Sequence, residues 1–120
     1  MPIVSLQGIN ENPTLYASSI TRGTDEGKPV KISANKTVAL SGNGEDFYGI
    51  VESIAEDNAV CVVQTRGIVT VPYSGSAPAL GWTQLCADGS GGVKTGSGTN
   101  KYYFVLDVDT TNNLVSFDLG

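Results

Sequence analysis

The sequence predicts an all-β domain, either a small β-barrel or a β-sandwich, on three observations. Glycine and proline interrupt the chain at short intervals, with 15 Gly and 5 Pro in 120 residues. The segments between them are short and rich in Val, Ile, Thr and aromatic residues, which favour strands. No window of helical length carries apolar residues at the i, i+3, i+4 spacing of an amphipathic helix. Barrels and sandwiches share this strand spacing, so both architectures remain open.

A single domain is predicted over residues 21–120, because the chain is too short for two cores of ordinary size. Its last two strands form a C-terminal β-hairpin. The glycine-dense segment Ala87 to Asn100 predicts a surface loop around one short strand. The predicted strands are, in order, Pro29 to Ala34, Thr37 to Gly42, Phe47 to Ile54, Ala59 to Thr65, Gly67 to Tyr73, Gly81 to Ala87, Gly92 to Thr95, Tyr102 to Asp109 and Asn113 to Leu119.

Residues 1–20 differ from the rest of the chain and predict an extended N-terminal arm. The segment MPIVSLQGINENPTLYASSI has apolar islands separated by a glycine and by an Asn-Pro break, with no regular amphipathic pattern. Such a segment becomes ordered against another surface, for example by adding a strand to a partner's sheet. A strand of the protein's own sheet is the alternative. The residues expected to bind a partner are Ile3, Val4, Leu6, Leu15 and Tyr16.

The stretch DVDTTNNLVSFD, from Asp107 to Asp118, has oxygen-bearing residues at positions that a calcium loop would use. The template needs Gly at its sixth position and Glu at its twelfth, where this chain has Asn112 and Asp118. It also needs a helix on each side, whereas both flanks here alternate as strands do. The stretch therefore predicts a hairpin, with a turn over residues 110–113 and no metal ligands.

The hairpin reading assigns faces to both of its strands. Asp107 and Asp118 are expected to point to solvent, with the apolar residues of each strand on the other face. Those apolar residues are Phe104, Leu106 and Val108 on the first strand, and Val115, Phe117 and Leu119 on the second.

The charge and the residue types argue against several functions. The net charge of -5 repels phosphate backbones, so no nucleic acid is expected as a partner. The chain has no histidine, which removes the usual Ser-His and Cys-His catalytic pairs, and no enzymatic activity or cofactor is expected. No apolar run is long enough to span a membrane, and no secretory signal is recognised. Cys61 and Cys86 are therefore expected to be buried free thiols rather than a disulfide.

Two further candidate sites come from loops and aromatic residues. The loops Gly23 to Gly27 and Gly42 to Asp46 carry carboxylates that a β-barrel enzyme would use as acid and base, although such clusters usually serve as turn residues. Tyr73 and Trp82 are candidates for a platform on which a sugar ring stacks. Tyr102 and Tyr103 are adjacent on a strand and must face opposite ways.

The order of segments PVKISANKTVAL, FYGIVESI, VVQTRGIVTVPYSG and PALGWTQLCADGSGGVK, followed by a terminal hairpin, resembles the small capsid decoration (cement) proteins of tailed bacteriophages. The resemblance spans Arg22 to Leu119. It implies a β-barrel-like domain that attaches to the outside of an expanded head, often as a homotrimer. It also implies that an N-terminal segment contacts the capsid, and it carries over no catalytic residues.

The function expected from the sequence is that of a non-enzymatic structural protein. It would bind the outer surface of an assembled capsid and bridge subunits of the major capsid protein. The protein would be made in the host cytoplasm and end in the virion, without nucleic acid, membrane or metal. The alternative is a carbohydrate- or ligand-binding β module of a virion spike that uses Tyr73 and Trp82. Two further alternatives are a barrel enzyme that uses Asp25 or Asp46 and a ring-forming piece of a tail or neck.

Overall fold

A computed structural model describes residues 12–120, which form ten strands and no helix. The all-β prediction is confirmed, and all nine predicted strands are present within two residues of their predicted ends. One strand, the first, was not among them. The strands are β1 (Thr14–Ala17), β2 (Pro29–Ala34), β3 (Thr37–Leu40), β4 (Gly49–Ile54), β5 (Val60–Gln64), β6 (Ile68–Pro72), β7 (Gly81–Ala87), β8 (Val93–Thr95), β9 (Tyr102–Asp109) and β10 (Leu114–Asp118).

The first five strands close into a barrel in the order β1-β3-β2-β4-β5. Strand β1 completes the closure, because it pairs in parallel with β3 and antiparallel with β5. The barrel is filled by small branched side chains, which suit the narrow interior of a short-stranded barrel. Its buried residues are Ile20, Val30, Val38, Val51, Ile54, Cys61 and Val63.

The other five strands form an antiparallel sheet in the order β6-β10-β9-β7-β8. A single bridge between Tyr73 and Val93 brings the end of β6 to β8, so this sheet curls back toward its own first strand. Three rings form the centre of its core. Phe47 stacks on Tyr103 at 5.1 Å between ring centroids, and Phe117 packs edge-on against both at 6.0 and 5.2 Å.

The loop between β3 and β4 joins the barrel to the second sheet. The Ala87 amide donates to the Glu45 carbonyl oxygen at 2.9 Å, and the Gly44 amide donates to the Ala87 carbonyl oxygen at 2.8 Å. Phe47, near the end of this loop, places its ring in the core of the second sheet, and the Tyr103 hydroxyl donates to its carbonyl oxygen. The two sheets therefore share a core contact as well as backbone hydrogen bonds.

The second half of the N-terminal segment is a strand of the protein's own sheet, which was the alternative to an extended arm. Thr14–Ala17 forms strand β1 of the barrel. Leu15 packs against the barrel core, whereas Tyr16 has 59% of its surface exposed. Ile20 is buried, so the predicted boundary at residue 20 lies inside the folded domain. The physical reason is that β1 satisfies its backbone groups on both sides, which an arm outside the domain does not. Ile3, Val4 and Leu6 lie outside the described residues.

A buried ion pair holds the turn that leads into β2. Asp25 is 5% exposed and accepts hydrogen bonds from the Thr21 amide at 2.7 Å and from Lys28 Nζ at 2.8 Å. Burial alone would raise the pKa of Asp25, but the hydrogen bonds from Lys28 and Thr21 and the charge of Lys28 together hold it below its ordinary value. The carboxylate is therefore a structural group.

Acidification is expected to destabilise the domain through this pair. A carboxylate whose folded pKa is lowered stabilises the fold above its unfolded pKa of about 3.9, and that contribution is lost as the pH falls through the folded value. Asp25→Asn should cost about 1–3 kcal/mol at pH 7 and flatten the decline in stability below about pH 5. Urea unfolding between pH 7 and pH 3 tests this expectation. An Asn variant with the wild-type slope would contradict it, and Asp57→Asn, at an exposed site, is the control.

Candidate functional site

Strand β9 exposes the opposite face from the one that the sequence analysis assigned to the core. Tyr103 and Val105 are buried, whereas Phe104 and Leu106 are 39% and 46% exposed. The predicted inward direction of Phe104 and Leu106 was therefore wrong, although Val108 does pack against the core. The cause is a β-bulge, because Phe117 pairs with Val105 and Ser116 pairs with Asp107, which leaves Leu106 as an extra residue.

One exposed side chain of β9, that of Phe104, belongs to a row of paired residues that crosses four strands. Ile68 pairs with Asp118, Asp118 pairs with Phe104, and Phe104 pairs with Trp82. Trp82 is 70% exposed and Ile68 is 60% exposed. The Trp82 and Phe104 rings meet edge to face, with centroids 5.2 Å apart and planes at 88°. This geometry is a favourable aromatic pair, so the two rings hold each other in place while they face solvent.

Two more apolar side chains extend this row along β9. Tyr102 is 57% exposed and pairs with Gln84, two residues along the strands from the pair of Phe104 and Trp82. Leu106 lies two residues beyond Phe104 in the other direction. We call Ile68, Trp82, Tyr102, Phe104 and Leu106 the outer face. It is bounded on one side by Thr70 and Ser116, whose hydroxyls are 2.8 Å apart. A cluster of exposed large apolar side chains with a polar rim is typical of a surface that binds protein.

The outer face does not include Tyr73, the second residue of the predicted ligand platform. Tyr73 is buried in the core of the second sheet, and Trp82 lies on the outside. The two rings are therefore on opposite sides of the sheet and present no common surface to a ligand. The aromatic neighbour of Trp82 is Phe104, which sequence reasoning had placed inside.

The two arm residues within the described part also separate. Leu15 faces the barrel core, and Tyr16 lies outside, where it lines an open cleft of about 240 Å³ together with Lys36 and Val60. Leu15 is only partly buried and lines the same cleft, so both residues stay candidates for partner contact.

The loop carboxylates all hold turns. Glu26 accepts from the Gly23 amide, and Glu45 accepts from Lys31 Nζ and from the Gly42 amide, both within 3 Å. The hydrogen bond from Lys31 is the main reason that the pKa of Glu45 is lowered. Asp46 accepts from Asn100 Nδ2 and from the Lys101 amide, which fixes the end of the glycine-rich loop.

The segment that resembled a calcium loop is the predicted hairpin. Asp109 accepts hydrogen bonds from the amides of Thr111 and Asn112 and from the Asn112 side chain. That side-chain bond is the largest of the effects that lower the pKa of Asp109. Asn113 has a φ of 55°, the left-handed conformation that the turn requires. Within residues 12–120 no three acidic, Cys or His side chains are grouped so as to hold a metal ion.

A cleft of about 410 Å³ lies beside the loop after β7 and is lined by residues that include Ser74, Asp88 and Lys94. The Asp88 carboxylate already accepts hydrogen bonds from the amides of Ser90 and Gly92 and from the Ser74 hydroxyl. Burial would raise the pKa of Asp88, but these bonds outweigh it and the pKa is lowered. Asp88 therefore organises the loop.

Cys61 and Cys86 are buried free thiols, as predicted. Burial raises the pKa of both thiols, which keeps them protonated at neutral pH. No helix in the described part of the chain is long and apolar enough to cross a membrane.

No protein-family model matches this chain, and no curated protein matches it either.

Proposed function

We propose that this chain is a non-enzymatic structural protein that binds the outer surface of an assembled phage capsid. It stabilises the capsid by bridging neighbouring subunits of the major capsid protein. The observation that supports this proposal is the outer face, where Trp82 and Phe104 expose aromatic surface of the kind that contributes most to protein interfaces. The resemblance of Arg22 to Leu119 to decoration proteins indicates which kind of partner this surface serves.

The segment of residues 1–11 is proposed to contact the capsid through Ile3, Val4 and Leu6. Its attachment point supports this role, because β1 is held on both sides in the barrel. The Val63 amide donates to the Pro13 carbonyl oxygen at 3.0 Å, directly behind the segment. A segment that starts from a fixed point loses less entropy on binding than one that hangs from a loose end.

A homotrimer is proposed because one segment alone would bind weakly. Burying roughly 400 Å² of apolar surface contributes about 10 kcal/mol at 25 cal/mol/Å². Ordering about eleven residues costs a similar amount or more at 1–2 kcal/mol each. Three segments on one trimer make each later contact intramolecular, and this multivalency converts weak contacts into stable attachment. The net charge of -5 also suits a location outside the capsid, away from the packaged nucleic acid.

Co-sedimentation with expanded heads assembled without this protein tests the proposal. The full-length chain is expected to bind saturably, and a chain that lacks residues 2–11 is expected to bind at least about tenfold more weakly, a loss of about 1.4 kcal/mol or more. Ile3→Ser, Val4→Ser and Leu6→Ser combined should match the deletion. Ser5→Ala, Gln7→Ala and Asn10→Ala combined form the matched control and should bind normally. Full stoichiometry with the deleted form would contradict the proposed contact.

A single observation, the exposure of Trp82, favours the alternative of a carbohydrate- or ligand-binding module of a virion spike. A sugar ring that stacks on Trp82 would cover it and change its fluorescence. A glycan titration that leaves the fluorescence unchanged removes this alternative, whereas a saturable change without head binding would replace the capsid proposal.

A further inference from the structure

Strand β6 lies at one edge of the second sheet and pairs with β10 on one side only. The Leu119 amide donates to the Gly67 carbonyl oxygen at 2.9 Å, at the start of this pairing. Because the backbone groups of successive residues in a strand point to opposite sides, the odd-numbered residues of β6 bond to β10. The amides and carbonyl oxygens of Ile68 and Thr70 therefore face away from β10, toward the open side of the strand.

The far end of this open side already carries a strand-like hydrogen bond. The Ser74 amide, which faces the same way, donates to the Val93 carbonyl oxygen of β8 at 3.0 Å. Strand β8 reaches only this end of β6, and residues 12–120 supply no partner for the backbone groups of Ile68 and Thr70 on that side. An edge with unpaired backbone groups is a template for one more strand.

The side chains of β6 do not protect this edge. Its sequence, IVTVP, contains no charged residue, whereas exposed edge strands are usually blocked by Lys or by other charges. Ile68 is 60% exposed at the end of its row, and the Thr70 hydroxyl is bonded to Ser116 along the sheet. A strand added beside β6 would cover Ile68 and continue the outer face by one strand.

The charges next to the edge indicate the chemistry of that strand. Strands β6, β9 and β10 together contain three Asp and no Lys or Arg. Asp118 lies opposite Ile68, and Asp107 lies in the row that reaches Thr70 through Ser116. Lys or Arg side chains on the added strand would complement these carboxylates. A second copy of β6 brings no cation within the strand, so it is a poorer match.

We infer that the open edge of β6 binds an extended segment of another protein, one that carries Lys or Arg on either side of an apolar residue. The segment adds a strand to the sheet through the backbone groups of Ile68 and Thr70, and its apolar side chain packs on Ile68. The inference rests on the proposed function only for the source of the segment, which is then the major capsid protein.

A short peptide tests this edge without heads. The probe is Thr-Lys-Thr-Val-Thr-Lys-Thr, which places both Lys and the Val on one face of a strand. Its titration is expected to shift the amide resonances of Ile68 and Thr70 saturably, and replacing both Lys by Glu should weaken binding severalfold. Unchanged resonances at millimolar peptide, or equal binding of the two peptides, would overturn the inference. Self-association of the chain through the same amides would overturn it as well.

Head binding tests the same edge through a pair of variants. Thr70→Pro removes the amide that faces the open side, whereas Thr70→Ala keeps that amide and loses the same hydroxyl. Thr70→Pro is expected to bind expanded heads at least about tenfold more weakly, and Thr70→Ala within about twofold of the unaltered chain. Equal binding by two folded variants would overturn the inference.

The two experiments separate the inference from the capsid proposal. Circular dichroism checks that both variants are folded, and the peptide titration uses the unaltered chain, so it decides the matter if Thr70→Pro does not fold. Peptide binding at Ile68 and Thr70 without any head binding would leave the inference standing and remove the capsid proposal.

Discussion

Replacing Phe117 with alanine is expected to lower the free energy of unfolding by about 3–5 kcal/mol, a large share of the stability of a small domain. Phe117 is fully buried on β10 and packs edge-on against Phe47 and Tyr103. Its removal leaves a cavity at the point where the second sheet meets the loop from the barrel. Urea unfolding followed by circular dichroism measures the change.

Phe104 provides the matched control, since it has the same side chain on the neighbouring strand but on the other side of the sheet. Phe104→Ala removes a ring that is 39% exposed and contacts Trp82. It is expected to cost within about 1 kcal/mol. A Phe104 variant that is as destabilised as the Phe117 variant would contradict the direction of β9 and with it the outer face.

Shortening the chain from its N-terminus is expected to have two distinct outcomes. A chain that lacks residues 2–11 should unfold cooperatively, with nearly the full stability. A chain that lacks residues 2–18 should fail to fold, because it loses β1. That loss removes the hydrogen bonds of the Tyr16 and Ala17 amides and the bond between Pro13 and Val63. At about 1 kcal/mol for each bond, plus about 2 kcal/mol for Leu15, the loss approaches the total stability of a small domain.

Thermal unfolding and amide exchange of the two shortened chains measure these outcomes. Tyr16→Ala in the full-length chain is the control, because it removes a large exposed side chain and leaves the β1 backbone intact. A cooperative transition in the chain without residues 2–18 would mean that the barrel closes without β1. The arm would then begin near residue 20, as the sequence alone suggested.

The strands and the hairpin turn were predictable because their determinants are local. Turn residues bound each segment, and Asn113 takes the left-handed conformation that its residue type favours. Strand β1 was not assigned because TLYA is only four residues long and follows an Asn-Pro break. Strand β1 forms because it pairs with β3 and β5, which are distant from it in the sequence.

The face of β9 was unpredictable for a different reason. In YYFVL, the first five residues of β9, both alternating sets are apolar, so this part of the pattern does not say which set is buried. The deciding features are the aromatic contacts of Tyr103 with Phe47 and Phe117 and the bulge at Leu106. Sequence reasoning chose Tyr73 as the aromatic partner of Trp82 and missed Phe104. The composition of β9 did contain a signal, because apolar residues at its start could have been buried on either face.

The most direct test of the capsid proposal is a cryo-electron-microscopy reconstruction of expanded heads incubated with the full-length chain. The account predicts added density on the outside of the shell, in contact with at least two major capsid subunits, with residues 1–11 traced onto the capsid. It also predicts that the chain without residues 2–11 leaves these positions empty. Bare heads with the full-length chain, or equal density with the deleted chain, would contradict the account.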